Sequence, residues 1–210
     1  MSNNIVKLCQ GDLIALHGSD SKLGYLCLPP VTEPLPEREE TISHLRASPS
    51  SIEQSKPDFT ERCLFRIADE KGQVRKGEPV HFGSIVRLIH EPSAYTVVAS
   101  DSLDHAGDGV VVASVFLRSL LNESDETSSQ WYIVPKFRLR LEGDHVQEGD
   151  FVLFKSVKYK GKILTITHPS SDPDKYDHLV GVDKNSHMHS GWQLKSVSYT
   201  HLTLPTSDLV

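Results

Sequence analysis

The chain has 210 residues and a formal net charge of −6. It is long enough to bury a core without disulfides or metals, and it lacks the positive field of a dedicated nucleic-acid binder. Hydrophobic residues at 38% and charged residues at 24% are ordinary for a globular domain.

At the amino terminus, MSNNIVKLCQGDLIALHG has no basic segment leading into a long apolar run. No signal peptide is expected, and no 18-residue apolar stretch suggests a membrane span. The first apolar run, GDLIAL from Gly11, opens on glycine and an acidic residue. A like opening, glycine then Asp or Ser, recurs as GSIVRL from Gly83 and GDFVLF from Gly149. Short apolar runs bounded by turn residues predict strands. Each is followed at a distance by a strand rich in aromatic and apolar residues: CLFRI from Cys63, WYIVP from Trp131 and GWQLK from Gly191. FGSIVRLIHEPSAYTVVAS, residues 82–100, reads as a strand, a tight turn and a second strand.

Three units of start, hairpin and closing strand predict an all-β fold, a β-trefoil spanning residues 5–197 whose hairpins cap a barrel. Leu16, Phe65, Leu88, Trp131, Ile133, Phe151, Leu153 and Trp192 are the expected core. Two segments interrupt the pattern. Residues 29–58 hold six of the twelve prolines and no Phe, Trp or Tyr, so a loose, disordered insertion in the first repeat is expected, with Glu37–Arg46 compatible with a short helix. In the second segment, VVVASVFLRSLL is compatible with a strand running into a short helix. The tail, residues 198–210, fits no repeat. It resembles translated sequencing-adapter read-through and is expected to be non-native or disordered.

No nucleophile elbow, P-loop or dinucleotide fingerprint occurs, and no enzyme activity is expected. The three cysteines, Cys9, Cys27 and Cys63, fit no metal spacing and read as reduced thiols, with Cys63 a small buried hydrophobe. Eleven histidines include His187 and His189 in HMH, but two ligands do not make a zinc site, and His168 and His178 read as loop residues. Asp104, Asp108, Asp172 and Asp174 sit in turn-like sequence. No metal or cofactor is expected. In KFRLR, an alternating strand would set Lys136, Arg138 and Arg140 on one side and Phe137 and Leu139 on the other. That basic face reads either as a solvated surface or as a contact for an acidic partner or phosphate.

The three starts and three closing strands together resemble the amino-terminal β-trefoil of the inositol trisphosphate receptor and ryanodine receptor channels. QWYIVPKFRLRLEGDHVQEGDFVLF carries the resemblance furthest, through Trp131-Tyr132-Ile133, Pro135, Leu139-Arg140, Gly143-Asp144 and Gly149-Asp150. The likeness is greatest to the inositol trisphosphate branch, with the ryanodine branch second. ADEKGQVRKGEPVH is too short for the helical arm that the better-known members carry between the first two units. The resemblance implies a suppressor or coupling module on the cytosolic face of the endoplasmic reticulum membrane, and a chain that is a fragment of a larger channel. Its partners would be the ligand-binding core and the neighbouring subunits of a tetramer. Membrane would be met only through the rest of the protein, and neither nucleic acid nor a direct small-molecule ligand is implied. Tyr176 falls in the loop where the family makes coupling contacts. With Lys136, Arg138 and Arg140 it forms the candidate contact surface. Trefoils of the type in luminal O-mannosyltransferases share the hairpin, and the sequon Asn122-Glu123-Ser124 discriminates, since only a luminal domain would be glycosylated there. A free-standing carbohydrate-binding trefoil would need a repeated aromatic and polar pocket at the hairpin tips, which the sequence lacks.

Overall fold

The computed structural model describes residues 6–19, 24–28, 43–48, 59–106, 110–118, 125–168, 178–183 and 190–197. The strands are β1 (Leu13–Gly18), β2 (Tyr25–Cys27), β3 (Ser43–His44), β4 (Arg46–Ser48), β5 (Phe65–Ala68), β6 (Ile85–His90), β7 (Tyr95–Ala106), β8 (Val110–Arg118), β9 (Trp131–Pro135), β10 (Phe151–Ser156), β11 (Ile163–His168), β12 (His178–Asp183) and β13 (Trp192–Ser196). One helical turn, α1 (Phe59–Arg62), precedes β5, and a 3-10 turn (Glu126–Ser129) precedes β9.

Six strands close into a barrel. Every pairing is antiparallel, running β1–β5, β5–β6, β6–β9, β9–β10, β10–β13 and back from β13 to β1. The remaining strands form a cap in which β12 pairs β4 and β8, and β8 pairs β3. Each repeat therefore sends its first and last strands to the barrel and its middle pair to the cap, the expected β-trefoil. A closed barrel removes the open sheet edges that invite aggregation.

The repeated glycines explain the repeated sequence. Gly11, Gly83 and Gly149 have φ of 89°, 90° and 85°, a left-handed backbone that glycine enters without a Cβ penalty. Each glycine N–H donates to a carbonyl on its closing strand: Gly11 to Ile67 at 3.0 Å, Gly83 to Ile133 at 2.8 Å and Gly149 to Leu194 at 2.8 Å. In the first and third repeats the acidic residue that follows closes the turn. Asp12 Oδ2 accepts from the Cys9 N–H at 2.8 Å, and Asp150 Oδ2 accepts from the Gln147 N–H at 2.8 Å. Asp is favoured at such turns because its side chain bonds nearby backbone.

At the barrel's open end the three repeats meet in a ring of backbone hydrogen bonds. Leu8 N–H donates to Val146, Val146 to Val80 and Val80 to Leu8, at 2.9, 2.9 and 3.0 Å. All three side chains are buried, so the ring satisfies amides that water cannot reach.

The core follows the glycine register. Ile14 and Leu16, Val86 and Leu88, and Val152 and Phe154 occupy matching inward positions three and five residues after each glycine. Phe65, Trp131 and Trp192 occupy matching positions on β5, β9 and β13, all buried. Six of the eight expected core residues are thus inside. Phe151 and Leu153 are not. They are half-buried, and β10 turns Val152, Phe154 and Ser156 inward instead.

Residues 43–48, within the stretch expected to be loose, form β3 and β4, and Leu45 and Ala47 lie in the core. They supply the first repeat's share of the cap, so the helix suggested for Glu37–Arg46 is replaced by strand over its described end. The rest of 29–58 lies outside the described residues. VVVASVFLR is strand throughout, as β8, and the residues after Arg118 where a helix was suggested lie outside the description until Asp125. So does the tail from residue 198.

Candidate interaction surface

Between β9 and the buried Val146 the chain makes a bent turn, not the strand that KFRLR suggested. Its geometry is set by backbone tethers. Gly143 N–H donates to the Phe82 carbonyl at 2.8 Å, and Asp144 N–H to the Leu141 carbonyl at 3.1 Å. Asp144 Oδ2 accepts from the Leu141 N–H at 2.9 Å. Gly143 has φ of 89°. With the chain bent, the three cations do not share one face.

Each cation has a different fate. Lys136 Nζ donates to Ser19 Oγ at 2.7 Å, and its partial burial pushes its pKa down. Arg140 is neutralised by Asp150 at 3.4 Å and also bonds the Gln147 side chain. Arg138 is exposed, with no partner among the described residues. Tyr176 lies outside the described residues.

The apolar residues between them are the feature that the strand reading hid. Phe137 is 51% exposed, Leu139 90% and Leu141 72%. Phe137 rests edge-on against Phe151, ring centroids 5.6 Å apart, which accounts for the outward face of β10. A shallow cavity of about 320 Å³ lies here, lined by Pro135, Phe137, Leu139 and Phe151, with Arg140 and Asp150 at its polar edge.

The histidine and carboxylate candidates do not converge. His168 ends β11 and His178 begins β12, so both are strand residues rather than loop residues. Asp104 lies on β7, and Asp108, Asp172, Asp174, His187 and His189 lie outside the described residues. Among the described residues no group of three or more His, Cys, Asp or Glu is placed to hold a metal. Cys27 and Cys63 are buried together against Tyr25, while Cys9 is partly exposed. A pair that the sequence reading missed is His81 and His145, bridged across the open end of the barrel with ring centroids 4.5 Å apart. Burial, then Lys7 and His81, lower the His145 pKa against the opposing pull of Asp144.

No curated protein matches the chain at a significant level. Among solved structures, a Caenorhabditis elegans protein of unknown function superposes with a TM-score of 0.66 at 14% identity, covering 93% of this chain and 99% of that one. An SDF2-like protein from Arabidopsis thaliana gives 0.66 at 14% identity, covering 95% and 100%. Cytolethal distending toxin from Actinobacillus actinomycetemcomitans gives 0.55 at 14% identity, covering 91% and 96%. At such identity these likenesses speak to the fold alone. Residues 39–201 match the family described as inositol 1,4,5-trisphosphate/ryanodine receptor, a receptor and channel family rather than an enzyme class. The match takes in the second and third repeats entire, with their glycine turns and closing tryptophan strands, and the chain belongs to that family.

Proposed function

We propose that this trefoil is the amino-terminal regulatory module of an intracellular calcium-release channel of the inositol trisphosphate receptor type. It acts through protein contacts with the ligand-binding core and neighbouring subunits, on the cytosolic face of the endoplasmic reticulum, and holds no ligand itself. The observation that carries this reading is the family match over residues 39–201. The geometry is consistent with it. A barrel closed by six strands and a ring of interlocked amides is a stiff body, and a stiff body passes rotation on to what it touches. The cations of the 136–144 turn are dispersed, as a contact surface allows and a phosphate pocket does not.

Coupling between sites is a free energy, commonly about 1–3 kcal/mol. The test compares inositol trisphosphate binding by the full channel reading frame with and without residues 1–197. Deletion should tighten binding about 5- to 150-fold. Unchanged affinity, or a reading frame with no ligand-binding core or membrane spans, would remove the proposal.

A further inference from the structure

The internal symmetry of the fold supplies a control for the 136–144 turn. Ile67 to Gly77 in the first repeat and Ile133 to Gly143 in the second span the same number of residues, and the tethers at their far ends match. Gly77 N–H donates to the Gln10 carbonyl at 3.3 Å where Gly143 donates to Phe82, and Glu78 N–H to Arg75 at 3.0 Å where Asp144 donates to Leu141. The two turns close alike at Gly77 and Gly143 but differ before that point: Asp69 N–H donates to the Gln73 carbonyl at 2.9 Å and Gly72 has φ of 78°, whereas Lys136 N–H donates to the Phe151 carbonyl at 2.9 Å. Phe137, Leu139 and Leu141 sit where the first repeat has Lys71, Gln73 and Arg75. The shared closure is met in the first repeat by Arg75, so it does not require Leu141, and Leu139 at 90% exposed buries little against the fold. Three large apolar side chains left in water are instead the mark of a surface that something covers.

Charge says what covers it. Arg138 stands between Phe137 and Leu139 in sequence and is exposed, with no partner among the described residues, while Lys136 and Arg140 are already engaged. One unpartnered guanidinium flanked in sequence by exposed apolar residues complements a single carboxylate beside an apolar side chain. It does not complement a polyanionic surface, since Glu142, Asp144, Glu148 and Asp150 lie close in sequence. The cavity of about 320 Å³ between the turn and β10 can take an apolar side chain, with its walls supplied by Phe137, Leu139 and Phe151.

We propose that the turn 136–142 is a docking surface for a protein segment that inserts an apolar side chain between the turn and β10 and pairs a neighbouring carboxylate with Arg138. The inference rests on reading the domain as a protein-contact module, and it names the face and the chemistry of the partner.

The test selects a random peptide library, displayed on phage, against the full 210-residue chain. Enriched peptides should carry an apolar residue next to Asp or Glu. A synthetic peptide of that sequence should lose about tenfold or more in affinity for the variant Phe137→Lys/Leu139→Gln/Leu141→Arg, which installs the first repeat's own residues at the matching positions. Arg138→Glu, a change at a free surface side chain that leaves the fold intact, should weaken the same peptide about fivefold or more, and added salt should shrink that difference. Four results would overturn the proposal: no enrichment over blank selection, peptides without acidic residues, binding indifferent to both variants, or capture of the chain by phosphatidylserine vesicles that the triple variant abolishes. Sedimentation showing self-association that the triple variant abolishes would assign the face to a second copy instead. If docking fails while deletion of residues 1–197 still tightens ligand binding, the coupling function stands and only this face is wrong. If docking holds and the deletion does nothing, the reverse is true.

Discussion

The Trp131 indole Nε1 donates to the Val97 carbonyl at 3.1 Å, tying the closing strand of the second repeat to that repeat's own cap hairpin. Trp192 repeats the arrangement in the third, donating to Leu164 at 3.1 Å. Both rings are fully buried, so each tryptophan fills the core and holds barrel to cap at once.

Trp131→Ala should cost about 3–5 kcal/mol, enough to leave a marginal domain largely unfolded. Trp131→Phe keeps most of the apolar bulk but removes the indole donor, and should cost about 1–3 kcal/mol. Chemical denaturation read by far-ultraviolet circular dichroism separates the two. An unchanged midpoint for the alanine variant would refute the core assignment.

The glycine turns should differ in tolerance. A Cβ at Gly149 meets nothing within 4 Å, whereas at Gly11 it meets Val74 Cγ1 at 3.0 Å and Lys76 Cγ at 3.2 Å. Gly149→Ala should therefore cost only the left-handed strain, about 1–2 kcal/mol. Gly11→Ala should cost more, because crowding is added to strain. Thermal melts of the two variants that rank the other way would contradict the described turns.

Stability should fall in mild acid. Burial lowers the pKa of His17, His90 and His145, so below the ordinary value of 6.5 the unfolded chain holds more protons than the folded one. The contribution is complete above about pH 6.5 and is lost as pH drops through the lowered values. Urea midpoints should decline from pH 7 towards pH 5. His145→Gln should flatten that decline, because it removes the proton acceptor whose ring lies tilted beside that of His81. A midpoint constant over this range would exclude the effect.

Thiol reactivity should report the fold. Cys27 and Cys63 are buried, and Cys9 is partly exposed with its pKa raised by burial and then by Asp12. Under native conditions at neutral pH, an aromatic disulfide reagent should label Cys9 slowly and leave the other two untouched. All three should react in denaturant. Fast native labelling of Cys63 would show that the α1–β5 junction opens.

The chain itself should not bind inositol trisphosphate. Polyphosphate recognition needs several cations on one pocket, and here Lys136 is held by Ser19 and Arg140 by Asp150, which leaves Arg138 as the one of the three without a partner among the described residues. Titration calorimetry at physiological salt should give no saturable heat. A one-to-one signal in the low micromolar range that Arg138→Ala abolishes would make the trefoil a receptor site.

Local chemistry alone made the architecture legible. Gly11, Gly83 and Gly149 announce three turns that only glycine makes cheaply, and Asp12 and Asp150 announce their closure. The closing strands CLFRI, WYIVP and GWQLK complete the repeats, and three repeats of that kind have few ways to bury their apolar faces. Non-local partners decided the rest. FVLF is apolar on both sides, so its inward face is set by the pairing of β10 with β9 and β13, and by Phe137 waiting outside for Phe151. KFRLR alternates like a strand, yet the tethers from Gly143 to Phe82 and from Asp144 to Leu141 bend the turn that carries it. Residues 43–48 have little strand character of their own and become β3 and β4 because β2, β8 and β12 offer them edges. A period-2 pattern fixes which residues share a side, but which side faces the core is a property of the closed barrel.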